Sequence, residues 1–198
     1  MLLLFHGNAG NLSDRAGLML ELARLAEADV FVAGYRGYGR CEGRPSEEGL
    51  YADARAAWRW LTTVGRYPPD RIVVFGKSLG GAVAVDLATE VDPAGLIVES
   101  SFTSIPEMAS KHYPFVPAAL IRTRMDSSSK IGGIGCPKLF IHSKADEVVP
   151  FEFGQRLYEE AVEPKDFFEI EGAGHNETWL VGGSRYFEAI RRFVQSVP

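Results

Sequence analysis

The sequence predicts an α/β fold built on a doubly wound, mostly parallel sheet of about six strands. Two observations support this class. Short apolar segments alternate with longer amphipathic segments along the 198 residues, which is the pattern of repeated strand–helix units. The apolar segments are continuous and do not alternate with polar residues, so we expect helices to cover both faces of the sheet.

The six predicted strands are continuously apolar and mostly end at small or polar residues. They are residues 2–5, 30–35, 71–76, 95–101, 137–143 and 166–172. Five segments with helical patterning, residues 12–28, 46–64, 79–91, 151–162 and 184–197, predict the helices. Ser13 and Ser46 are the predicted N-caps of the first two helices. Residues 102–136 interrupt the alternation of strands and helices, and we expect a small lid or crossover segment there. Residues 1–198 are expected to form one domain that includes this segment.

The composition is ordinary for a soluble globular protein, with 46% hydrophobic and 24% charged residues. A net charge of −5 without a basic run argues against nucleic-acid binding. Cys41 and Cys136 stand in no metal-binding spacing, so we expect two free thiols, no metal and no cofactor. No apolar run reaches the ~18 residues that a transmembrane helix needs. These features favour a cytoplasmic protein.

The stretch FGKSLGG at residues 75–81 is open to two interpretations. A phosphate-binding P-loop requires a glycine five residues before Gly76, and Arg71 stands there. The four residues between them are predicted to be strand, whereas a P-loop needs a glycine-rich loop at that point. The P-loop is therefore rejected, and Lys77 is interpreted as the variable residue of a different motif.

The same stretch matches G-x-S-x-G, the turn that presents a nucleophilic serine between a strand and a helix. Ser78 is the candidate nucleophile, and Gly76 and Gly80 supply the small neighbours that its strained backbone requires. A glycine-rich turn with a packing role alone is the alternative that the motif by itself leaves open.

A nucleophile of this kind needs an acid and then a histidine later in the chain. His175, in GAGHNETW directly after the last predicted strand, is the candidate base. The other three histidines are set aside. His6 precedes the serine, His112 lies in the irregular segment, and His142 lies inside a predicted strand, where packing is its better interpretation.

The acid is expected just after the predicted strand of residues 137–143. Asp146 is the candidate, with Glu147 as its neighbour, and its role would be to hold the tautomer of His175. A turn aspartate is the alternative.

Two backbone N–H groups should form an oxyanion hole. One is that of Leu79, and the other comes from the loop HGNAGN after the first strand, where Asn8 is the first choice and Ala9 the second. A plain tight turn would also explain the loop's composition.

Five segments together resemble one group of serine hydrolases with the α/β-hydrolase fold: FHGNAGNLSDR, GYRGYGRCEGRPSEEGLYADARAAWRWL, GKSLGGAVAVDLA, HSKADEVVPF and GAGHNETW. The group is the one that includes protein depalmitoylases and lysophospholipid hydrolases, with a serine aminopeptidase/lipase-like domain. The resemblance covers nearly the whole chain and is weakest over residues 103–135.

The resemblance implies esterase, lipase or thioesterase chemistry on a small-molecule acyl ester or thioester, and it assigns the same catalytic residues. Members of the group usually carry two further strands before the first one here, often behind a membrane anchor. On that basis the sequence is interpreted as a short form. Its strand of residues 30–35 should then lie at an edge of the sheet, where a homodimer would cover it.

Aromatic residues near the expected site are candidates for lining an acyl pocket, with core packing as the alternative for each. They are Tyr35, Phe102, Tyr113, Phe115 and Trp179. Arg36 could line the mouth of the site or form a structural ion pair. Two other functions stay open on the same fold: a serine peptidase, which would need a subsite for a peptide amine or side chain, and a binding domain without turnover.

Overall fold

The computed structural model of the protein describes residues 1–9, 12–115, 117 and 120–197. Residues 10 and 11 of the expected oxyanion loop and residues 116, 118 and 119 of the expected lid lie outside the described residues. The strands are β1 (Leu2–Phe5), β2 (Val30–Ala33), β3 (Val73–Lys77), β4 (Gly95–Glu99), β5 (Lys138–Ser143) and β6 (Lys165–Ile170). The helices are α1 (Ala16–Leu25), α2 (Glu47–Thr63), α3 (Leu79–Ala88), α4 (Ile105–His112), α5 (Ser128–Ile131), α6 (Phe151–Glu160) and α7 (Thr178–Ser196).

The six strands form one parallel sheet in the order β2-β1-β3-β4-β5-β6, which confirms the predicted fold class. Its two faces are covered by different helices. Leu3 and Phe5 pack on the side of α2, α3 and α6, whereas Leu2 and Leu4 pack on the side of α1 and α7. Because both faces of the inner strands β1, β3, β4 and β5 are buried, these strands can be apolar at nearly every position, whereas the edge strands β2 and β6 are only partly buried.

The sheet places β2 at one edge, as expected for residues 30–35. Its side chains are only partly buried, and the ring of Phe31 stacks on Trp60 of α2 with centroids 5.2 Å apart. The homodimer proposed for this edge stays a prediction.

The first helix begins later than its sequence pattern predicts. Leu12–Arg15 form a 3-10 turn, so Ser13 lies inside that turn and Arg15 occupies the N-cap position of α1 without a side-chain cap bond. The second helix is capped as predicted, since Ser46 Oγ accepts a hydrogen bond from the Gly49 N–H at 3.1 Å. A serine and an apolar period locate a helix only to within a turn, because a 3-10 turn satisfies the same pattern.

Two further elements differ from the expected pattern. The segment of residues 102–136 contains α4, which Ser104 caps through the N–H of Glu107, and the short α5. The last helix begins at Thr178, earlier than expected, and its helical backbone breaks at Gly183, where φ is 51° and ψ is −139°. With eight and four residues, α4 and α5 are too short to show a clear apolar period, and the break at Gly183 separates the first residues of α7 from the pattern predicted at 184–197.

Among the described residues, no helix combines the length and apolar character that crossing a bilayer requires. The parallel arrangement has a direct consequence for the site. All six strands end at the same edge of the sheet, so the residues that follow β3, β5 and β6 come together there.

We expect Leu22→Ala to lower the free energy of unfolding by about 2–5 kcal/mol, because Leu22 is fully buried between α1 and the sheet. Leu20→Ala on the same helix is the matched control, since Leu20 is 71% exposed, and it should change stability by no more than ~0.5 kcal/mol. Urea unfolding followed by circular dichroism measures both. Equal effects of the two substitutions would contradict the packing of α1 described above.

Candidate active site

Ser78 lies in the turn that joins β3 to α3, with φ of 54° and ψ of −119°. The turn is tight because neighbouring backbone passes very close. A Cβ on Gly76 would lie 2.1 Å from the carbonyl oxygen of Gly80, and a Cβ on Gly80 would lie 2.0 Å from that of Phe5. No side chain fits at either position, so both glycines of the motif are required by space.

The end of β4 holds this turn in place. The N–H of Ser78 donates to the Glu99 carbonyl at 2.8 Å, and the hydroxyl of Ser101 donates to the Ser78 carbonyl at 2.9 Å. A Cβ on Gly81 would lie 2.3 Å from the Ser101 Oγ, so Gly81 leaves room for that hydroxyl. These contacts fix the backbone of Ser78, which directs its side chain away from the sheet.

His175 and Asp146 form a buried pair. Asp146 follows β5, and its Oδ2 lies 2.8 Å from the Nδ1 of His175, in the loop after β6. The other oxygen, Oδ1, accepts the N–H groups of Val148 and Val149 at 3.0 and 2.8 Å. The carboxylate is therefore oriented from both sides, which selects the rotamer that reaches His175.

Burial by itself would raise the pKa of Asp146, but hydrogen bonds outweigh it. His142, His175 and the N–H of Val149 all favour the charged form, and together they hold the pKa of Asp146 well below its usual range. The carboxylate is ionised at neutral pH and can stabilise a positive charge on His175.

His142 contacts this pair, which sequence reasoning missed. It is buried in β5, as the packing interpretation expected, but its Nε2 also lies 3.5 Å from Asp146 Oδ2 and 2.9 Å from the carbonyl of Val149. A Cβ on Gly154 would lie 2.1 Å from His142 Nδ1, so α6 packs directly on the ring. The four-residue spacing between His142 and Asp146 is the only sequence signal for this contact.

Ser78 and His175 line the same cavity, of about 190 Å³. Gly7 and Asn8 of the loop after β1 line it as well, and a Cβ on Gly7 would lie 3.3 Å from that of Ser78. Leu79 is the first residue of α3, and the first N–H groups of a helix have no partner within the helix. Asn8 is held in place because the hydroxyl of Tyr38 donates to its Oδ1 at 2.5 Å.

A second cavity, of about 340 Å³, also includes Asn8 and Ser78. Its walls are largely apolar and come from the α2 and α4 side of the sheet, with Leu50, Phe102 and Met125 among them. Of the five aromatic candidates for an acyl pocket, Phe102 is the one that lines a cavity together with Ser78.

The structure places the other four aromatic candidates elsewhere. Tyr35 is fully buried, and its hydroxyl donates to the His6 carbonyl at 3.2 Å, so it supports the loop after β1 from below. Tyr113 and Phe115 are exposed and contact each other edge to face. Trp179 lines a separate cavity between α1 and α7. Aromatic character alone did not distinguish these positions, because their orientation depends on the surrounding helices.

Arg36 forms the structural ion pair that was one of its two interpretations. Its guanidinium contacts Asp53 of α2 at 2.7 Å, and its backbone N–H donates to the same carboxylate at 2.9 Å. The loop after β2 is therefore attached to α2.

Lys77 joins a buried polar network directly beside Ser78. Its ammonium lies 2.7 Å from both Glu99 Oε1 and Thr178 Oγ1, and Tyr186 donates to the other oxygen of Glu99 at 2.6 Å. Burial by itself would raise the pKa of Glu99, but the charge of Lys77 and the hydrogen bonds outweigh it and lower that pKa. The network connects the end of β3, the end of β4 and the start of α7.

Comparisons with known proteins show the family and the fold of the chain. Residues 1–129 match the family described as "Serine aminopeptidase, S33". An uncharacterized protein of Mycobacterium tuberculosis is 44% identical over 193 residues, which cover 97% of this chain and 68% of that protein. Alpha/beta hydrolase domain-containing protein 17B of Homo sapiens is 35% identical over 193 residues, which cover 98% of this chain and 65% of that protein. The chain thus spans about two thirds of the length of both relatives.

Solved structures show the same fold. The esterase Pf2001 of Pyrococcus furiosus superimposes with a TM-score of 0.80 at 21% identity, over 99% of this chain and 82% of that one. An alpha-beta hydrolase of Vibrio vulnificus superimposes with a TM-score of 0.81 at 23% identity, over 97% and 73% of the two chains. At these identities the comparison establishes the architecture alone.

We expect Glu99→Gln to lower the free energy of unfolding by about 3–5 kcal/mol at neutral pH, because it leaves the Lys77 ammonium buried without a counter-charge. Adding Lys77→Met should recover at least half of the loss. Glu152→Gln is the matched control, since the Glu152–Lys111 pair is exposed and should contribute ~1 kcal/mol or less. Urea unfolding measures all three. Additive losses in the double variant would contradict the pairing.

The stability difference between wild type and Glu99→Gln should also depend on pH. The folded pKa of Glu99 lies below the unfolded value of 4.5, so its stabilisation is fully present above pH 4.5 and is lost as the pH falls through the folded pKa. The stability difference between wild type and Glu99→Gln should therefore narrow as the pH falls from 4.5 through the folded pKa of Glu99. A difference that stays constant over this range would show that Glu99 is not held ionised.

Proposed function

Because the chain belongs to the serine aminopeptidase S33 family and has the α/β-hydrolase fold, we propose that it is a serine hydrolase that cleaves carboxylic ester or thioester bonds through an acyl-enzyme on Ser78. The observation that carries the proposal is the 2.8 Å contact between Asp146 and His175, made where His175 and Ser78 share one cavity. An ionised acid, an imidazole and a hydroxyl in this arrangement are the parts of a nucleophile-activating triad.

The proposed reaction assigns each group one role. His175 Nε2 takes the proton of Ser78 as Oγ attacks the carbonyl carbon, while Asp146 accepts from Nδ1–H and stabilises the imidazolium. The tetrahedral intermediate collapses, the bond to the leaving oxygen or sulfur breaks, and His175 returns the proton to that leaving group. Water then attacks the acyl-enzyme with His175 as base again, which releases the acid and restores Ser78.

The N–H groups of Asn8 and Leu79 are the proposed oxyanion hole. Leu79 opens α3, so its N–H lies at the positive end of the helix dipole. Gly7 supports this assignment, because a Cβ on Gly7 would lie 3.3 Å from that of Ser78, so the loop that carries Asn8 passes close to Ser78. Developing negative charge on the substrate oxygen would be stabilised there.

The larger, apolar cavity supports an acyl substrate. Leu50, Phe102 and Met125 supply apolar walls of the kind that an aliphatic acyl chain contacts. The Pyrococcus furiosus neighbour is named as an esterase, which is consistent with this assignment.

The family description makes an aminopeptidase the second candidate. A peptide amine would need a carboxylate at the end of a subsite beside Ser78. Glu47 lines the larger cavity, but its carboxylate already accepts the N–H groups of Arg124 and Met125 at 2.7 and 2.8 Å. Ester or thioester hydrolysis is therefore the function that the site supports best.

We expect Ser78→Ala to lower kcat/KM for p-nitrophenyl butyrate by about 10⁴-fold or more, because Ser78 carries the only hydroxyl among the described residues that line the cavity with His175. Ser196→Ala is the matched control, since Ser196 is exposed at the carboxyl end of α7, and it should keep full activity. A fluorophosphonate probe should label wild type and not Ser78→Ala. Wild type that neither turns over esters nor takes the probe would refute the proposal, and turnover of an aminoacyl nitroanilide in preference to esters would support the second candidate.

Asp146→Asn should lower kcat by about 10⁴-fold, because an amide can hold His175 in the wrong tautomer. Glu147→Gln tests the adjacent carboxylate, which accepts only the backbone N–H of His175, and it should lower kcat by less than about tenfold. Steady-state ester hydrolysis measures both variants. A larger loss from Glu147→Gln than from Asp146→Asn would transfer the role of the acid to Glu147.

A further inference from the structure

Two cavities of different chemistry meet at Asn8 and Ser78. The cavity of about 340 Å³ is largely apolar, whereas the cavity of about 190 Å³ is lined by polar and cationic groups. Resting on the hydrolase function above, we propose that the smaller cavity receives the leaving group of the substrate, and that this leaving group carries an anionic group, a phosphate, sulfonate or carboxylate, which Arg15 binds.

The charge of the smaller cavity is the first observation. Arg15 and Lys77 line it, and none of the described residues that line it carries a carboxylate. The protein as a whole has a net charge of −5, so the positive charge of this cavity is opposite in sign to the net charge of the protein. A cavity with positive groups and no negative ones favours an anionic ligand.

The bonding of Arg15 is the second observation. One terminal nitrogen of its guanidinium donates to the Ala9 carbonyl, which turns the group toward the loop that carries Asn8. Its Nε is buried and, within the part of the chain that the structure describes, has no hydrogen-bond partner. A buried donor without a partner is costly, and a bound anion would satisfy it.

Lys77 is not the cation that we expect to bind the anionic leaving group. Its ammonium is paired with the buried Glu99 at 2.7 Å and so has a counter-charge already. Arg15 has no ion pair among the described residues, and the guanidinium of an arginine suits phosphate, sulfonate and carboxylate oxygens in geometry. Arg15 is therefore the cation that is left for a ligand.

The two cavities then give the substrate a direction. An apolar acyl chain would occupy the cavity that contains Phe102 and Met125, and the anionic leaving group would lie beside Arg15. The bond to be cleaved would lie between them, at Ser78, which lines both. A substrate with its charge on the acyl half would place that charge against apolar side chains and should be rejected.

A series of butyryl thioesters tests this proposal, because the acyl group stays constant while the charge of the leaving thiol changes. The thiols are N-acetylcysteamine, which is neutral, 2-mercaptoethanesulfonate, which is anionic, and thiocholine, which is cationic. We expect wild type to prefer the sulfonate over the neutral thioester by about tenfold in kcat/KM, mainly through KM, and to use thiocholine least. Raising the ionic strength from about 0.05 to 0.5 M should reduce the preference.

Arg15→Gln should abolish the preference, because kcat/KM should fall more for the sulfonate than for the neutral thioester, and Arg15→Lys should retain part of it. Arg59→Gln is the matched control, since Arg59 is exposed on α2 about 20 Å along the helix from Ser46, and it should keep the full preference. Absence of a preference in wild type, or its survival in Arg15→Gln, would overturn the proposal. An equal loss on all three thioesters would also overturn it, because it would show that Arg15 only holds the Ala9 loop.

A binding measurement separates this proposal from the proposed function. Calorimetry on Ser78→Ala with the intact sulfonate and neutral thioesters needs no turnover. The sulfonate should bind about tenfold more tightly to Ser78→Ala than to Ser78→Ala/Arg15→Gln, and the neutral thioester should bind both equally. If wild type hydrolyses no ester, the proposed function fails, and this comparison still supports or overturns the anion site.

Discussion

At Ser78 the chain turns from β3 into α3 with a φ of 54°, and the other parts of the site are arranged around that turn. Positive φ at a residue other than glycine is strained, and here the surroundings hold it. The end of β4 binds the backbone of Ser78 on both sides, and Gly76 and Gly80 admit carbonyl groups at distances where no side chain fits. This turn places Ser78 at the edge of the sheet where the strands end, close to the loops after β1, β5 and β6.

Buried charges stabilise this arrangement and also specify it. The Lys77–Glu99 pair connects the turn at Ser78 to the start of α7, three residues after His175. Removing water from both charges is costly. Hydrogen bonds from Thr178 and Tyr186 to the two carboxylate oxygens of Glu99 replace part of the lost hydration. What the pair contributes is a fixed position of the start of α7 relative to the turn at Ser78. The same principle applies to Asp146, which accepts backbone N–H groups on one oxygen and the imidazole on the other.

The site is asymmetric, and its asymmetry suggests how a substrate is oriented. Asn8 and Ser78 lie where an apolar cavity and a cationic cavity meet. Tyr38 lines the apolar cavity and also donates to Asn8, so it connects the wall of one cavity to the loop that forms the other. Glu47 closes the apolar cavity from the α2 side by holding the backbone of residues 124 and 125. Specificity on this fold is then a matter of the segments around the sheet rather than of the sheet itself.

The sequence by itself determined the sheet and the candidate triad, because continuous apolar strands, a strand–turn–helix glycine motif and the order of Ser78, Asp146 and His175 are local patterns along the chain. Only the tertiary structure decided which aromatic side chains face the site. Phe102 lies beside Ser78, whereas Trp179 lies between α1 and α7 and Tyr113 is exposed. It also decided that Lys77 pairs with Glu99 and that Arg15 lines a cavity with Ser78. A side chain's neighbours across the fold set its partners and its charge, and no pattern of neighbouring residues in the sequence contains that information.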